Sequence, residues 1–338
     1  LHKYNGHDCT ATKKFYQHTL PMIEFRRQLS LKYGRDFLNH NDTKIGAEIF
    51  QIALEKAGVE CYTFGPNGRQ PRQTKRDKIA LHECVPEYIH FYDMELNRVF
   101  QWLRNQVITE TKGVFKDLKA TVRGLDYVFG TGGLHASVDH QHFVANETMM
   151  IADIDVAGMY PAIAIANNYY PEHLGPTFVE VYKQVRDQRA MHKKGTPENA
   201  ALKLAGNGVY GKSNDKFSIF FDPQFTMKVT LTGQLSIAIL ADRLSQVPGL
   251  TVIQCNTDGI TAYLPRANKD DFDQICRWWE GLTKLTLEEV EYSRMFVADV
   301  NSYIAEKLDG EVKRKGRYEW DKEWHQNDSC LVVPKVAE

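Results

Sequence analysis

The chain lacks the marks of several protein classes. Its six cysteines, Cys9, Cys61, Cys84, Cys255, Cys276 and Cys330, include no Cys-x-x-Cys pair, which disfavours a zinc site and leaves no disulfide framework to read. No apolar run approaches the ~20 residues that cross a bilayer, and no basic-then-apolar leader precedes a small-residue cleavage site. Neither membrane insertion nor secretion is signalled, so the expectation is a soluble, cytoplasmic monomer without a membrane partner. Repeats and low-complexity tracts are missing too. So is a charge surplus: Lys and Arg total 42 against 43 Asp and Glu, a net charge of -1, which by itself does not advertise a nucleic-acid binder.

What is present is a globular composition with a local bias. With 338 residues, 43% of them hydrophobic, the chain can bury one large core or two smaller ones. Between Lys183 and Lys228 nine basic residues face four acidic ones, a positive island in a neutral protein. The segment from Gly65 to Lys78 collects Gly, Pro and five positive charges and reads as an exposed loop. The chain begins with Leu1, and Leu331-Val-Val-Pro-Lys-Val-Ala-Glu338 stops inside an apolar run, so both ends are expected to be cut.

Periodicity places the elements. Helical spacing recurs from Ala11 to Leu54, with Asp42 or Thr43 as the cap before Lys44. Met149-Met-Ile-Ala-Asp-Ile-Asp-Val156 alternates as a strand does, and Pro161 suits the first turn of the helix after it. Residues 178 to 194 and a segment starting at Thr196-Pro197-Glu198 form a predicted helical hairpin, and a third helix runs from about Thr226 to Gln246 before Pro248-Gly249. Two apolar strands flank Asn256-Thr-Asp-Gly259, so Asp258 falls at a hairpin tip while Asp155 falls at a strand end. A further hairpin turns around Asp309-Gly310.

Two carboxylates placed this way suit a pair of divalent cations that clamp the attacking and leaving oxygens of a phosphoryl transfer. Arg186, Arg189 and Lys193 fall on one predicted helix face, and Lys203, Asn207 and Tyr210 on another. Two polar stripes carrying positive charge would hold a triphosphate and neutralise the pyrophosphate as it leaves.

At these residues the chain resembles family B DNA polymerases. Asp155-Val-Ala-Gly-Met-Tyr-Pro161 is similar to motif A of that family, Lys203-Leu-Ala-Gly-Asn-Gly-Val-Tyr-Gly211 to motif B, and Asn256-Thr-Asp-Gly259 to motif C. Asp187-Gln-Arg-Ala-Met-His-Lys193 resembles the fingers segment that meets the triphosphate, and Lys315-Gly-Arg-Tyr318 the KxRY motif at the primer strand. Phe129-Gly-Thr-Gly-Gly133 echoes the YxGG element, and Tyr4-Asn-Gly-His-Asp8 the third motif of the 3'-5' exonuclease.

The resemblance implies an α+β fold: a palm with an antiparallel sheet and a short two-helix fingers hairpin. It divides the chain into the end of an exonuclease domain with connecting helices (1–56), a connecting region (57–128), palm (129–175), fingers (176–211), palm again (212–318) and the start of a thumb (319–338). It implies that Asp155 and Asp258 are catalytic and hold two Mg²⁺ ions, for which Mn²⁺ can substitute, with the Val156 carbonyl as a further ligand. Arg189, Lys193, Lys203, Asn207, Met159 and Tyr160 would bind the deoxynucleotide, Tyr160 by excluding a 2'-hydroxyl. Tyr210 and Gly211 would line the base-pair pocket. Lys315, Arg317, Tyr318, Gly132 and Gly133 would contact primer-template DNA. Tyr4 and Asp8 remain as a residual exonuclease motif, and the fragment itself is expected to have no exonuclease activity.

Departures from the family pattern fall in motif C, where Asn256 stands for a frequent aspartate and Gly259 for a frequent serine, and at Gly158 and Gly208. With 47 residues between Asp155 and Lys203 there is no room for the insertion of protein-primed phage polymerases, so a compact, phage-like enzyme extending an ordinary primer is expected, with a clamp or accessory partner for processivity. Two rival readings remain: a fragment that binds primer-template without catalysis, and a palm enzyme that makes or copies RNA, against which Asn-Thr-Asp and Tyr160 argue.

Overall fold

The alternating run Met149–Val156 does form a strand, and the fold is organised around it. The computed structural model describes residues 2–66 and 68–319, with side chains from residue 5 onward; the expected start of a thumb lies outside them apart from residue 319. In chain order the elements are α1 (His2–Tyr33), α2 (Asp42–Lys56), β1 (Tyr62–Gly65), β2 (Gly68–Pro71), β3 (Ile79–Ala80), α3 (Met94–Arg104), β4 (Val107–Ile108), β5 (Lys119–Val122), β6 (Leu125–Gly130), β7 (Gly133–Ser137), β8 (Gln141–Val144), β9 (Met149–Val156) and α4 (Met159–Ala166). They continue with α5 (Thr177–Ala190), α6 (Pro197–Lys212), α7 (Pro223–Leu244), β10 (Thr251–Asn256), β11 (Gly259–Pro265), α8 (Lys269–Thr283), β12 (Leu287–Asp299), β13 (Ser302–Lys307) and β14 (Val312–Arg314). The fold is α+β, as expected, and every strand pairing among the described residues is antiparallel.

Two compact units divide the chain: residues 1–74 with 170–222, and 75–169 with 223–338. In the first, α2 lies against the α5–α6 hairpin. Gly46 lets the helix backbones meet, since a Cβ there would stand 2.0 Å from the Leu204 carbonyl oxygen. Phe50, Phe178, Tyr182 and Phe220 pack as an aromatic cluster, edge-to-face in three pairs and tilted between Phe50 and Phe178, and the buried Tyr182 hydroxyl donates to the Gly206 carbonyl at 2.6 Å.

Several expectations change here. The cap of α2 is Asn41, whose side chain accepts from the Lys44 amide. The basic Gly65–Lys78 segment is partly a β1–β2 hairpin, with Arg69 stacked 3.5 Å from the Tyr62 ring. The N-terminal segment is one long helix that continues through Pro21, with Asp8 exposed on it. Tyr4 belongs to its backbone, and the side chain lies outside the described ones.

The second unit carries a ten-stranded sheet in the order β14-β13-β12-β9-β11-β10-β7-β6-β5, with β8 added against β12. The helix α7 is buried along nearly its whole length and is held to α8 by the buried Trp279, whose Nε1 donates to the Ser236 carbonyl at 2.6 Å. No described helix is long and apolar enough to cross a membrane.

Candidate active site

Three neighbouring strands, β10, β11 and β9, present two lateral rows of residues. One row is Asn256, Gly259 and Asp155, and the next is Gln254, Thr261 and Asp153. Because side chains alternate across a strand, residues two apart share a face, and all six line one cavity of about 220 Å³ with Thr257, Asp258, Tyr303, Lys313 and Lys315. The structure therefore brings Asp155 and Asp258 to the same cavity.

Gly259 makes room for this. A Cβ at Gly259 would stand 1.9 Å from Asp155 Oδ1, so the carboxylate occupies the space that any other residue's side chain would fill. The Asp258 carbonyl accepts from the Val156 amide at 2.7 Å, fastening the hairpin tip to the end of β9. The Val156 side chain is buried.

The tip itself is tightly made. The Asp258 amide donates to the Asn256 carbonyl at 2.6 Å around Thr257, whose φ of +54° is costly for a β-branched residue. The Thr257 amide donates to Leu134 O at 2.9 Å, and its hydroxyl donates to Gly132 O at 3.3 Å, 3.2 Å from His135 Nε2. Gly133, at φ +135°, passes beneath it so closely that a Cβ would meet Thr257 Cγ2 at 2.8 Å. Gly132 and Gly133 thus support the turn at Thr257.

Asp153 is buried where Asp155 is open. Its Oδ1 accepts from the Thr261 hydroxyl at 2.6 Å, and its Oδ2 from the Tyr292 hydroxyl at 2.6 Å and from Lys313 Nζ at 3.4 Å. Burial alone would lower the Lys313 ammonium, but Asp153, with Tyr303 and Tyr292, outweighs it and holds it above the ordinary lysine range. Asp155 is pushed up to about 6, first by the protein around it and then by Asp153, with Lys313 opposing. Asp258 is raised as well, chiefly by burial, against its own amide and Lys313. Both carboxylates keep an edge open to solvent, which moderates the burial effect and leaves them accessible to a cation. Sequence reasoning missed Asp153, Gly259 and Lys313. The signal for Asp153 was its place two residues before Asp155 in an alternating strand.

Around the cavity, the Tyr160 hydroxyl donates to Gly132 O at 3.3 Å. Met159 is 4% exposed and packs towards α7, where a Cβ on Gly233 would meet its Cε at 2.8 Å; its side chain is core. Lys315 lines the cavity and pairs with Glu319 at 3.3 Å. Arg317 pairs with Asp299 at 2.5 Å, and Tyr318 packs edge-on against Phe296.

The remaining candidates belong to the other unit. Lys203 and Asn207 are exposed and Tyr210 half-buried on α6, Gly211 is exposed, and Arg189 is half-buried near the end of α5. The predicted stripe of Arg186, Arg189 and Lys193 is interrupted. The helix stops at Ala190 because the Asn199 side chain donates to the Arg189 and His192 carbonyls, turning the chain, and Lys193 lies in the connection. Arg186 pairs with Asp187 at 2.9 Å.

No protein-family model matches the chain, and no curated protein matches it. Among solved structures, it is similar to the family B DNA polymerase from the hyperthermophilic archaeon Pyrobaculum calidifontis, with a TM-score of 0.45 and 14% sequence identity over 89% of this chain. The match spans 36% of that polymerase's length.

Proposed function

We propose that the chain carries the palm and fingers of a DNA-directed DNA polymerase, adding deoxynucleotides to a primer 3' end. The observation that carries the reading is the convergence of Asp155 and Asp258, remote in sequence and each inside a family-like motif, on one solvent-reaching cavity.

The cavity fits divalent magnesium. Its lining offers oxygen donors and no Cys or His, and the buried Gln254 Oε1 has no hydrogen-bond partner among the described residues. Hard cations such as Mg²⁺ and Mn²⁺ prefer such a set. Among the described residues no group of three His, Cys, Asp or Glu forms a cage, so Asp155, Asp258 and the Val156 carbonyl would hold the ions only together with water and nucleotide phosphates, a common arrangement for Mg²⁺. Bound there, the pair would lower the pKa of the primer hydroxyl and stabilise the departing pyrophosphate.

The chain's own residues then have separate tasks. Asp155 at the end of β9 and Asp258 in the turn between β10 and β11 supply negative charge at fixed positions. Tyr160, tethered through its hydroxyl to Gly132 O, stands beneath the sugar and leaves no space for a 2'-hydroxyl. Lys203 and Asn207, exposed one turn apart on α6, and Arg189 near the end of α5 offer donors to the triphosphate. Lys193, in the connection, adds charge without sharing their face. Lys315, Arg317 and Tyr318 approach the primer strand.

The test is extension of a labelled primer on a DNA template with dNTPs and Mg²⁺ by the full chain. Template-dependent extension that disappears in Asp258→Ala is expected. Primer-template binding with no extension under any divalent cation would overturn the enzyme reading.

A further inference from the structure

Asn256 is uncharged where the motif resemblance leads to an aspartate, yet the cavity it lines does not lack a third carboxylate. Asp153 supplies one, from the row beneath and on the same face of β9 as Asp155.

The two positions are built for different groups. The Asn256 Nδ2 donates to the Val300 carbonyl at 3.4 Å. A carboxylate cannot donate, so an aspartate there would set its charge against the Val300 oxygen. Asp153 is 6% exposed, an expensive place for a charge unless it is paired and hydrogen-bonded. It has both: the Thr261 and Tyr292 hydroxyls and the Lys313 ammonium engage its two oxygens. With Asp155 and Asp258 the lining holds three carboxylates against two ammonium groups, Lys313 and Lys315. An aspartate added at 256 would unbalance that set.

We propose that the third carboxylate of the site has moved from the hairpin tip to β9, where Asp153 is a positioning residue that holds the Lys313 ammonium beside the Asp155–Asp258 pair. Without Asp153, Lys313 keeps neutral tyrosine partners, the Tyr292 hydroxyl at 3.1 Å and the Tyr292 and Tyr303 rings, and its charge is drawn towards Asp155 and Asp258, where it competes with an incoming cation. The purpose of the arrangement rests on the polymerase reading, but the arrangement of charge can be tested without it.

Four chains decide the matter: the unaltered protein, D153N, N256D and D153N/N256D, each measured for its urea-unfolding midpoint and for Mn²⁺ binding by electron paramagnetic resonance of the free ion. Each single change is expected to lower the midpoint, D153N by stranding Lys313 and N256D by adding an unbalanced charge. The double variant is expected to unfold at a higher urea concentration than either single one. D153N should bind Mn²⁺ about tenfold more weakly, and the double variant should recover most of that loss. A purely structural Asp153 predicts additive midpoints and no recovery of Mn²⁺ binding, and either result overturns the proposal. If D153N does not fold, an N256D change that fails to restore a folded chain overturns it equally. Primer extension separates the two readings: no extension by the unaltered chain alongside recovered midpoints sinks only the polymerase, whereas normal extension with additive midpoints sinks only the relocated carboxylate.

Discussion

Replacing Gly259 by alanine isolates the steric condition on which the site depends. The added Cβ would lie 1.9 Å from Asp155 Oδ1 and 2.9 Å from the Ile154 carbonyl oxygen, where ordinary contacts begin near 3.4 Å. The carboxylate must therefore retreat by about 1.5 Å, while the backbone yields a few tenths of an ångström. A misplacement of ~1 Å in a reacting geometry costs ~10²-fold in rate, so kcat/KM for nucleotide addition should fall by ~10²-fold or more, roughly 2.7 kcal/mol of transition-state stabilisation. Stability should change little. Alanine gains roughly 0.5–1 kcal/mol over glycine inside a strand, which offsets the crowding against Ile154, and Gly259 is not at a positive φ. Single-turnover primer extension beside thermal unfolding by circular dichroism separates the two effects. Unchanged kcat/KM in a folded Gly259→Ala chain would refute the claim that Asp155 works from the space the glycine leaves.

Further outcomes follow from other parts of the molecule. Asp155 titrates near 6, above its ordinary value, so its ionised form is the one the fold disfavours. Its contribution to the metal-free chain is most favourable below the unfolded pKa and is lost as the pH rises through about 6. Mg²⁺ requires the ionised form, so apparent affinity should fall ~10-fold per pH unit below about 6, and the Mg²⁺-induced rise in Tm should be smaller at pH 5 than at pH 7.5; equal rises would contradict the assignment. Gly46→Ala drives a Cβ into the Leu204 carbonyl of α6, where neither helix backbone can yield, and should cost about 3 kcal/mol by urea unfolding, with an unchanged midpoint as the contrary result. Tyr160→Ala should raise ribonucleotide incorporation relative to deoxynucleotide by at least ~10-fold in competition assays; unaltered discrimination would remove Tyr160 from sugar selection.

Much of the site was legible because strand alternation and turn chemistry are local. Asp155 at a strand end and Asp258 at a hairpin tip needed only the pattern of Met149–Val156 and the flanks of Asn256–Gly259. The Thr196 cap is seen as expected, its hydroxyl accepting from the Asn199 amide at 3.3 Å. What stayed hidden depends on pairing between distant segments. The hairpin around Asp309-Gly310 was legible, but nothing in it says that β13 pairs with β12, and β12 with β9, so that Lys313 on β14 reaches Asp153, and Asp153 looks like a strand residue until Thr261 and Tyr292 are placed across from it. Gly259 read as a turn residue, yet the close approach is to a side chain on another strand. The helix stripe through Lys193 failed for a similar reason, since the Asn199 amide ends α5 from beyond the connection.

The hairpin tip shows why local preference had to give way. An Asn-Gly or Asp-Gly pair would make a two-residue turn with little strain, whereas Thr257 at φ +54° carries a cost of roughly 1–3 kcal/mol. Such a cost persists only if the surroundings over-determine the conformation, and here they do. Leu134 O and Gly132 O take the Thr257 amide and hydroxyl, Gly133 gives up its side chain to let Thr257 settle, and Val156 holds the next carbonyl. A relaxed turn would need none of these anchors and would leave Asp258 free to tilt against β9. The anchored one ties Asp258 to the strand that carries Asp155 through the Val156 amide. The strain at Thr257 and the absent side chains of Gly133 and Gly259 are thus parts of one arrangement: they let two strands and a turn bring two like charges together before anything neutralises them.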